Sequence, residues 1–98
     1  MASRGARFHP AAAVELEEAA AWYEEHAEGL GAEFLAAVRS VTEAIASAPE
    51  RWPAVHGTRR ALLHRFPYAI VYRERADDLV EIVAVAHCRR KPRYWSGR

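Results

Sequence analysis

Apolar positions recur at helical spacing through the first half of the chain and at strand spacing through most of the second. Ala13, Leu16, Ala20, Tyr23 and Ala27 follow one another at intervals of three and four residues, flanked by Val14 and Trp22. This spacing predicts an α-helix with one apolar face. Pro10 stands at its first position, where the missing N–H is not needed. Arg7, Phe8 and His9, just before it, read as the end of a short first strand. Glu15, Glu17, Glu18, Glu24, Glu25 and Glu28 read together as the solvated side of the helix. Gly29 and Gly31 permit a tight reversal. Leu30, Phe34, Val38, Val41, Ile45 and Ala48 then form a second stripe, with Pro49 beyond its end. Two amphipathic helices joined this closely predict an antiparallel αα-hairpin.

From Arg59 onward the period changes. The runs Tyr68–Arg73 and Leu79–His87 are rich in Val, Ile, Tyr and Ala, and Arg75, Ala76, Asp77 and Asp78 between them form a short hairpin connection. A preceding strand offers Arg60, Leu62 and His64 as one row. Alternation predicts that Tyr68, Ile70 and Tyr72, together with Val80, Ile82, Ala84 and Ala86, pack on the helices. Ala69, Val71 and Arg73, with Leu79, Glu81, Val83, Val85 and His87, then fall on the opposite face. Trp52, in the connection into the sheet, reads as a packing plug. The expected fold is α+β: a short N-terminal strand and a helical hairpin on one face of a mainly antiparallel sheet of three to four strands. The 98 residues are expected to form one domain, ordered from about residue 8 to 95 with loose ends.

Composition adds a location. No run approaches the roughly 20 apolar residues of a membrane span, and the N-terminus lacks the apolar stretch of a secretory signal. The single cysteine, Cys88, has no partner for an internal disulfide. A cytoplasmic protein with no membrane partner, metal or cofactor is expected.

Charge adds a partner. The net charge of +1 hides a division. Residues 1–50 carry three arginines against nine carboxylates, a net −6; residues 51–98 carry eleven lysines and arginines against four carboxylates, a net +7. Glutamate is a good helix former, which accounts for part of the first half. It does not account for Arg89, Arg90, Lys91 and Arg93 crowding one strand end beside Tyr94 and Trp95. Such crowding is unfavourable without a counter-charge, so an anionic guest is expected, either nucleic acid or an acidic protein segment. Tyr94 and Trp95 serve equally well as a staple onto the sheet or as functional aromatics. His64 and His87, taken singly, read as half-exposed strand residues.

The order strand, two helices, three strands resembles the toxin subunits of the RelE/ParE superfamily of type II toxin–antitoxin systems. The resemblance is carried by Phe66-Pro67-Tyr68-Ala69-Ile70-Val71-Tyr72-Arg73, by Val83-Ala84-Val85-Ala86-His87, and by Arg89-Arg90 with Pro92-Arg93-Tyr94-Trp95. It extends from about Phe8 to Trp95. It implies a growth-inhibiting toxin neutralised by a cognate antitoxin, whose acidic helical or extended segment would suit the basic face. One branch of the superfamily cleaves messenger RNA on the ribosome; another, that of the ParE-like plasmid-stabilisation toxins, inhibits DNA gyrase without a chemical step.

RNA cleavage needs an activated 2′-OH, charge stabilisation at the phosphate and a proton for the leaving oxygen. Laid on that branch, Arg60, His64 and Arg89 fall at its basic positions. His87 or His64 would act as acid/base, Arg89 and Arg60 as phosphate clamps, and Tyr94 as proton donor or stacking platform. Ala69, however, stands where that branch commonly has an arginine. The resemblance therefore favours gyrase inhibition, with a ribosome-dependent messenger endonuclease as the alternative. A non-toxic nucleic-acid-binding relative is the third reading. In any of them Arg89, Arg90, Lys91, Arg93 and Trp95 form the expected binding set.

Overall fold

In chain order the elements are β1 (Gly5–Phe8), α1 (Pro10–His26), α2 (Leu30–Ser47), a 3₁₀ turn (Pro49–Arg51), β2 (Arg59–Leu62), β3 (Tyr68–Arg75) and β4 (Leu79–His87). The structure is a computed structural model and describes residues 5–76 and 78–98. Residues 1–4, and Asp77 of the expected hairpin connection, lie outside the described residues. The strands form one sheet in the order β1-β4-β3-β2. β2–β3 and β3–β4 are antiparallel, while β1 runs parallel to β4. Two helices thus pack on one face of a four-stranded open sheet, the expected α+β architecture.

The helices begin and end on local chemistry. His9 Nδ1 accepts from the Ala11 N–H at 3.0 Å, capping α1 ahead of Pro10. Glu24 reaches forward to accept from the N–H groups of Gly29 (2.9 Å) and Gly31 (3.0 Å), fixing the reversal. Gly29 takes a left-handed backbone at φ 85°. Gly31 has a different reason: it lies inside α2, and a Cβ there would come within 2.6 Å of the Ala20 carbonyl oxygen. Gly31→Ala sets a gain of about 1 kcal/mol in helix propensity against this backbone clash. The clash is expected to win, with a net loss of about 1–2 kcal/mol in urea denaturation. A stabilised variant would show that the two helices can separate without penalty.

The core lies between hairpin and sheet. Phe34, Val38 and Ile45 of α2 meet Ile70, Tyr72, Val80, Ile82 and Val85 of the sheet, with Ala12 and Ala19 of α1 beside them. Tyr72 is fully buried, and its hydroxyl donates to the Pro49 carbonyl at 2.6 Å. Burial pushes that hydroxyl up to about 12, so it remains a donor. Trp52 packs edge-on against the Tyr72 ring and plugs the loop, as expected. Arg59 ties the same loop down by donating to the Trp52 carbonyl.

One expectation about the sheet is overturned. Val71 pairs with Ala84 but Tyr72 pairs with Ile82, so Val83 is an extra residue in β4. This β-bulge reverses the alternation of everything after it. Val80 and Ile82 face the helices, as the pattern predicts. Ala84 and Ala86 instead join Val71 and Val83 on the opposite face, and Val85 moves into the helix-side core. His87 moves with it, its ring set edge-on to Tyr68 with centroids 5.0 Å apart.

Candidate functional site

The face of the sheet turned away from the helices carries a compact apolar patch of Val71, Val83, Ala84 and Ala86. Left bare, it would expose the middle of the sheet. The chain covers it with its own tail: beyond His87 the backbone runs through successive turns and lays Tyr94 and Trp95 on the patch. A cleft of about 80 Å³ remains beside them, lined by Arg60, Ala69, His87, Arg90, Tyr94 and Trp95 among others. Arg60 is placed there by its pairing with Val71, directly across β2–β3. Arg90 lines it too, its guanidinium 4.0 Å above the centre of the Tyr94 ring.

Of the residues expected to form the site, Arg60, His87, Arg90, Tyr94 and Trp95 therefore line one cleft. His64, Arg89, Lys91 and Arg93 do not line it. His64 is exposed just past β2, while Arg89, Lys91 and Arg93 stand exposed on the tail. Adjacent cations on a turn point apart, so Arg90 rather than Arg89 is the one turned into the cleft. Arg89 has a backbone role instead: its N–H donates to His87 Nδ1 at 3.0 Å. The neutral His87 ring thus carries its proton on Nε2. The bulge leaves His87 on the rim between the two faces, bordering the cleft and also a groove formed with Glu15, Glu18 and Trp22 of α1.

What fixes the tail is a residue that the sequence reading grouped with the solvated glutamates. Glu15 is only 14% exposed in its side chain. It accepts from the Tyr94 hydroxyl (2.8 Å), from Arg98 through two bonds of 2.9 Å, and from the Val85 backbone N–H (3.0 Å). The reason lies in strand lengths. β1 covers β4 only from Leu79 to Ile82, leaving the rest of that edge without a strand neighbour. The Glu15 carboxylate supplies the acceptor for Val85 N–H, and Arg98 supplies a donor to the Val83 carbonyl at 3.0 Å. Arg73, paired with the nearly buried Glu81 at 2.8 Å, also donates to the Arg98 carbonyl at 2.9 Å. Arg98, three residues past Trp95, is held from three directions.

These contacts settle protonation. Burial alone would raise the Glu15 pKa, but the hydrogen bonds from Arg98, Tyr94 and Val85 together hold it below the ordinary carboxyl range. Burial, and then the bond to Glu15, push the Tyr94 hydroxyl far above the ordinary tyrosine value. Its proton is committed to Glu15 and is not offered to the cleft. A depressed carboxyl contributes stability in full above its unfolded pKa of about 4.3 and loses it as pH falls through the folded value. The tail is therefore expected to stay closed at pH 5 and to loosen only as pH falls below the ordinary carboxyl range. Following Tyr94 and Arg98 by NMR during an acid titration checks this; release above pH 5 would contradict it.

Among the described residues no cluster of histidines, cysteines and carboxylates is arranged to hold a metal ion, and no helix is long and apolar enough to cross a membrane. No curated protein shows significant sequence similarity to the chain. Among solved structures, it is similar to a chain of the chromosomal ParDE toxin–antitoxin system from P. aeruginosa, with a TM-score of 0.64 and 18% identity, covering 87% of this chain and 96% of that one. It is similar also to a chain of the toxin–antitoxin complex RelBE2 from Mycobacterium tuberculosis, with a TM-score of 0.63 and 24% identity, covering 89% and 93%. At these identities the likeness establishes the fold. The family follows from the sequence model of the ParE toxin of type II toxin–antitoxin systems, which matches residues 6–92. With nearly the whole chain matched, from the first strand through the basic turn after β4, the protein belongs to the ParE toxin family.

Proposed function

We propose that the protein is a toxin that acts by inhibiting DNA gyrase through surface contact rather than by cutting RNA, and that a cognate antitoxin neutralises it. The observation that carries this reading is the cleft itself. At about 80 Å³ it is far below the roughly 300–1,000 Å³ of a small-molecule site. Tyr94 and Trp95 already occupy the patch on which a scissile nucleotide would rest. Ala69, lining the cleft, offers no guanidinium to a phosphate. The Tyr94 proton is held by Glu15. What the face presents is an aromatic and cationic surface, the composition of a macromolecular contact.

A second reading has its own support. Arg60, His87 and Arg90 border the same cleft, two cations and an imidazole, which is the chemistry an endoribonuclease would need. An antitoxin partner is supported by the assemblies of both structural neighbours, which are toxin–antitoxin systems. A basic second half with exposed Arg89, Lys91 and Arg93 suits an acidic segment of such a partner.

Induced expression without a partner tests the proposal. Growth arrest with DNA-damage signalling and trapped DNA–gyrase complexes is the expected result. Arrest with messenger cuts at fixed codon positions would replace it by the endonuclease reading. No arrest at all would leave a non-toxic relative.

A further inference from the structure

We infer that Glu15 is the positioning residue of the candidate site: it assembles the cationic cleft by latching the C-terminal segment, and the cleft exists only while that latch is closed. The inference rests on the surface-contact reading above for its functional consequence, but not for its geometry. Beyond Cys88 the tail is built from short local bonds, Tyr94 N–H to Lys91, Ser96 N–H to Arg93 and Arg98 N–H to Trp95, each reaching back three residues. Among the described residues, no backbone–backbone bond joins residues 89–98 to a strand other than that from Arg90 N–H to His87. Side chains do the fastening. Tyr94 is fastened to Glu15, Arg98 to Glu15 and to the Val83 carbonyl, and the Arg98 carbonyl to Arg73.

One carboxylate thus ties the tail both to helix α1 and to the uncovered edge of β4. Tyr94, anchored by its hydroxyl, holds its ring beneath Arg90 and so keeps that guanidinium on the cleft that Arg60 also lines. Releasing Glu15 frees Tyr94, withdraws the support of Arg90, and uncovers Val71, Val83, Ala84 and Ala86. Backbone conformation favours release, because Arg93 sits at φ 61°, a left-handed conformation that a non-glycine residue adopts at a cost. The closed arrangement therefore needs its side-chain fastenings. Glu15 touches no bound partner in this scheme; it acts through Tyr94 and Arg98.

Amide hydrogen exchange on the isolated full chain tests the latch without reference to any target. In Glu15→Ala, and in the milder Glu15→Gln and Arg98→Ala, exchange at Ser96 and Arg98 is expected to rise at least tenfold. Amides of Ile70, Tyr72 and Ile82 should keep strong protection in the two milder variants, rising by no more than the fall in global stability requires. Arg98→Lys, which keeps the charge but loses the fork, should recover part of the protection. Unchanged exchange at the tail in all variants would overturn the inference. So would loss of protection throughout the sheet along with the tail, since Glu15 would then be a structural residue only. Growth arrest on induction forms the second arm: variants with an open tail and an intact sheet should lose it, and full retention would refute the positioning role. Absence of arrest in the unmodified chain would refute the toxin reading, while the exchange arm still decides the latch.

Discussion

Phe34→Ala is expected to be the most destabilising single substitution in the core, with a loss of about 3–5 kcal/mol. Phe34 is fully buried, and its ring meets Tyr23, Phe66 and Tyr68 with centroids between 5.1 and 5.2 Å apart. These three partners belong to α1, the loop before β3, and β3, so one ring joins both helices to the sheet. Alanine would leave a cavity bordered by three aromatic rings, which fill space poorly when they shift. Total stability for a domain this small is about 5–15 kcal/mol, so the variant would lie near the folding threshold. Urea denaturation followed by circular dichroism should show the midpoint falling with an unchanged slope. A loss under about 1 kcal/mol would mean that the rings close over the gap, and that the cluster is less tightly packed than its geometry implies.

The Phe34 stripe was legible because periodicity reports burial directly. Phe34, Val38 and Ile45 recur at helical spacing, and the structure buries all three. The same logic read the sheet correctly up to Ile82 and then failed, for a definite reason. Nothing in Ile82-Val83-Ala84-Val85 marks Val83 as an inserted residue, since each of the four is compatible with either face. A bulge is imposed by pairing with β3, and pairing is not a property of one strand. Its consequence reached the site: the rule that put His87 on the far face put it one residue out of phase. The strand end alone keeps it on the cleft's rim.

Glu15 was missed by a different route. It stands three residues after Ala12 and four before Ala19, both buried, so its position on the helix flank was available from spacing. Grouping it with Glu17 and Glu18, which are exposed, hid that signal. Its partner Arg98 could not be anticipated, because a bond across 83 residues depends on how the tail folds back. The division of charge between the two halves of the chain was visible from the start. One part of its meaning was not: the basic half meets the acidic half within the molecule, through Arg98 with Glu15 and through Arg65 with Glu33 at 2.7 Å. The cations left exposed on the tail, Arg89, Arg90, Lys91 and Arg93, are the ones available to a partner.

Glu15→Ala is expected to lower stability by about 2–4 kcal/mol, far more than the few tenths typical of a surface glutamate. The substitution removes no apolar burial of consequence. Its effect comes from the donors it strands: the Tyr94 hydroxyl, the Val85 N–H and the Arg98 guanidinium, which is itself only 18% exposed. If the tail stayed in place these groups would be desolvated and unpaired. If it swung out, Tyr94 and Trp95 would give up their cover of Val71, Val83, Ala84 and Ala86. Either outcome is unfavourable, and the smaller penalty sets the measured value. A double-mutant cycle separates the pair from the rest. Arg98→Ala alone leaves Glu15 with Tyr94 and Val85, so its loss should be smaller, about 1–2 kcal/mol. The double variant should lose clearly less than the sum, with a coupling of at least about 1 kcal/mol. Strict additivity would show that the two residues act independently, and that the carboxylate at the edge of β4 is not what holds the tail.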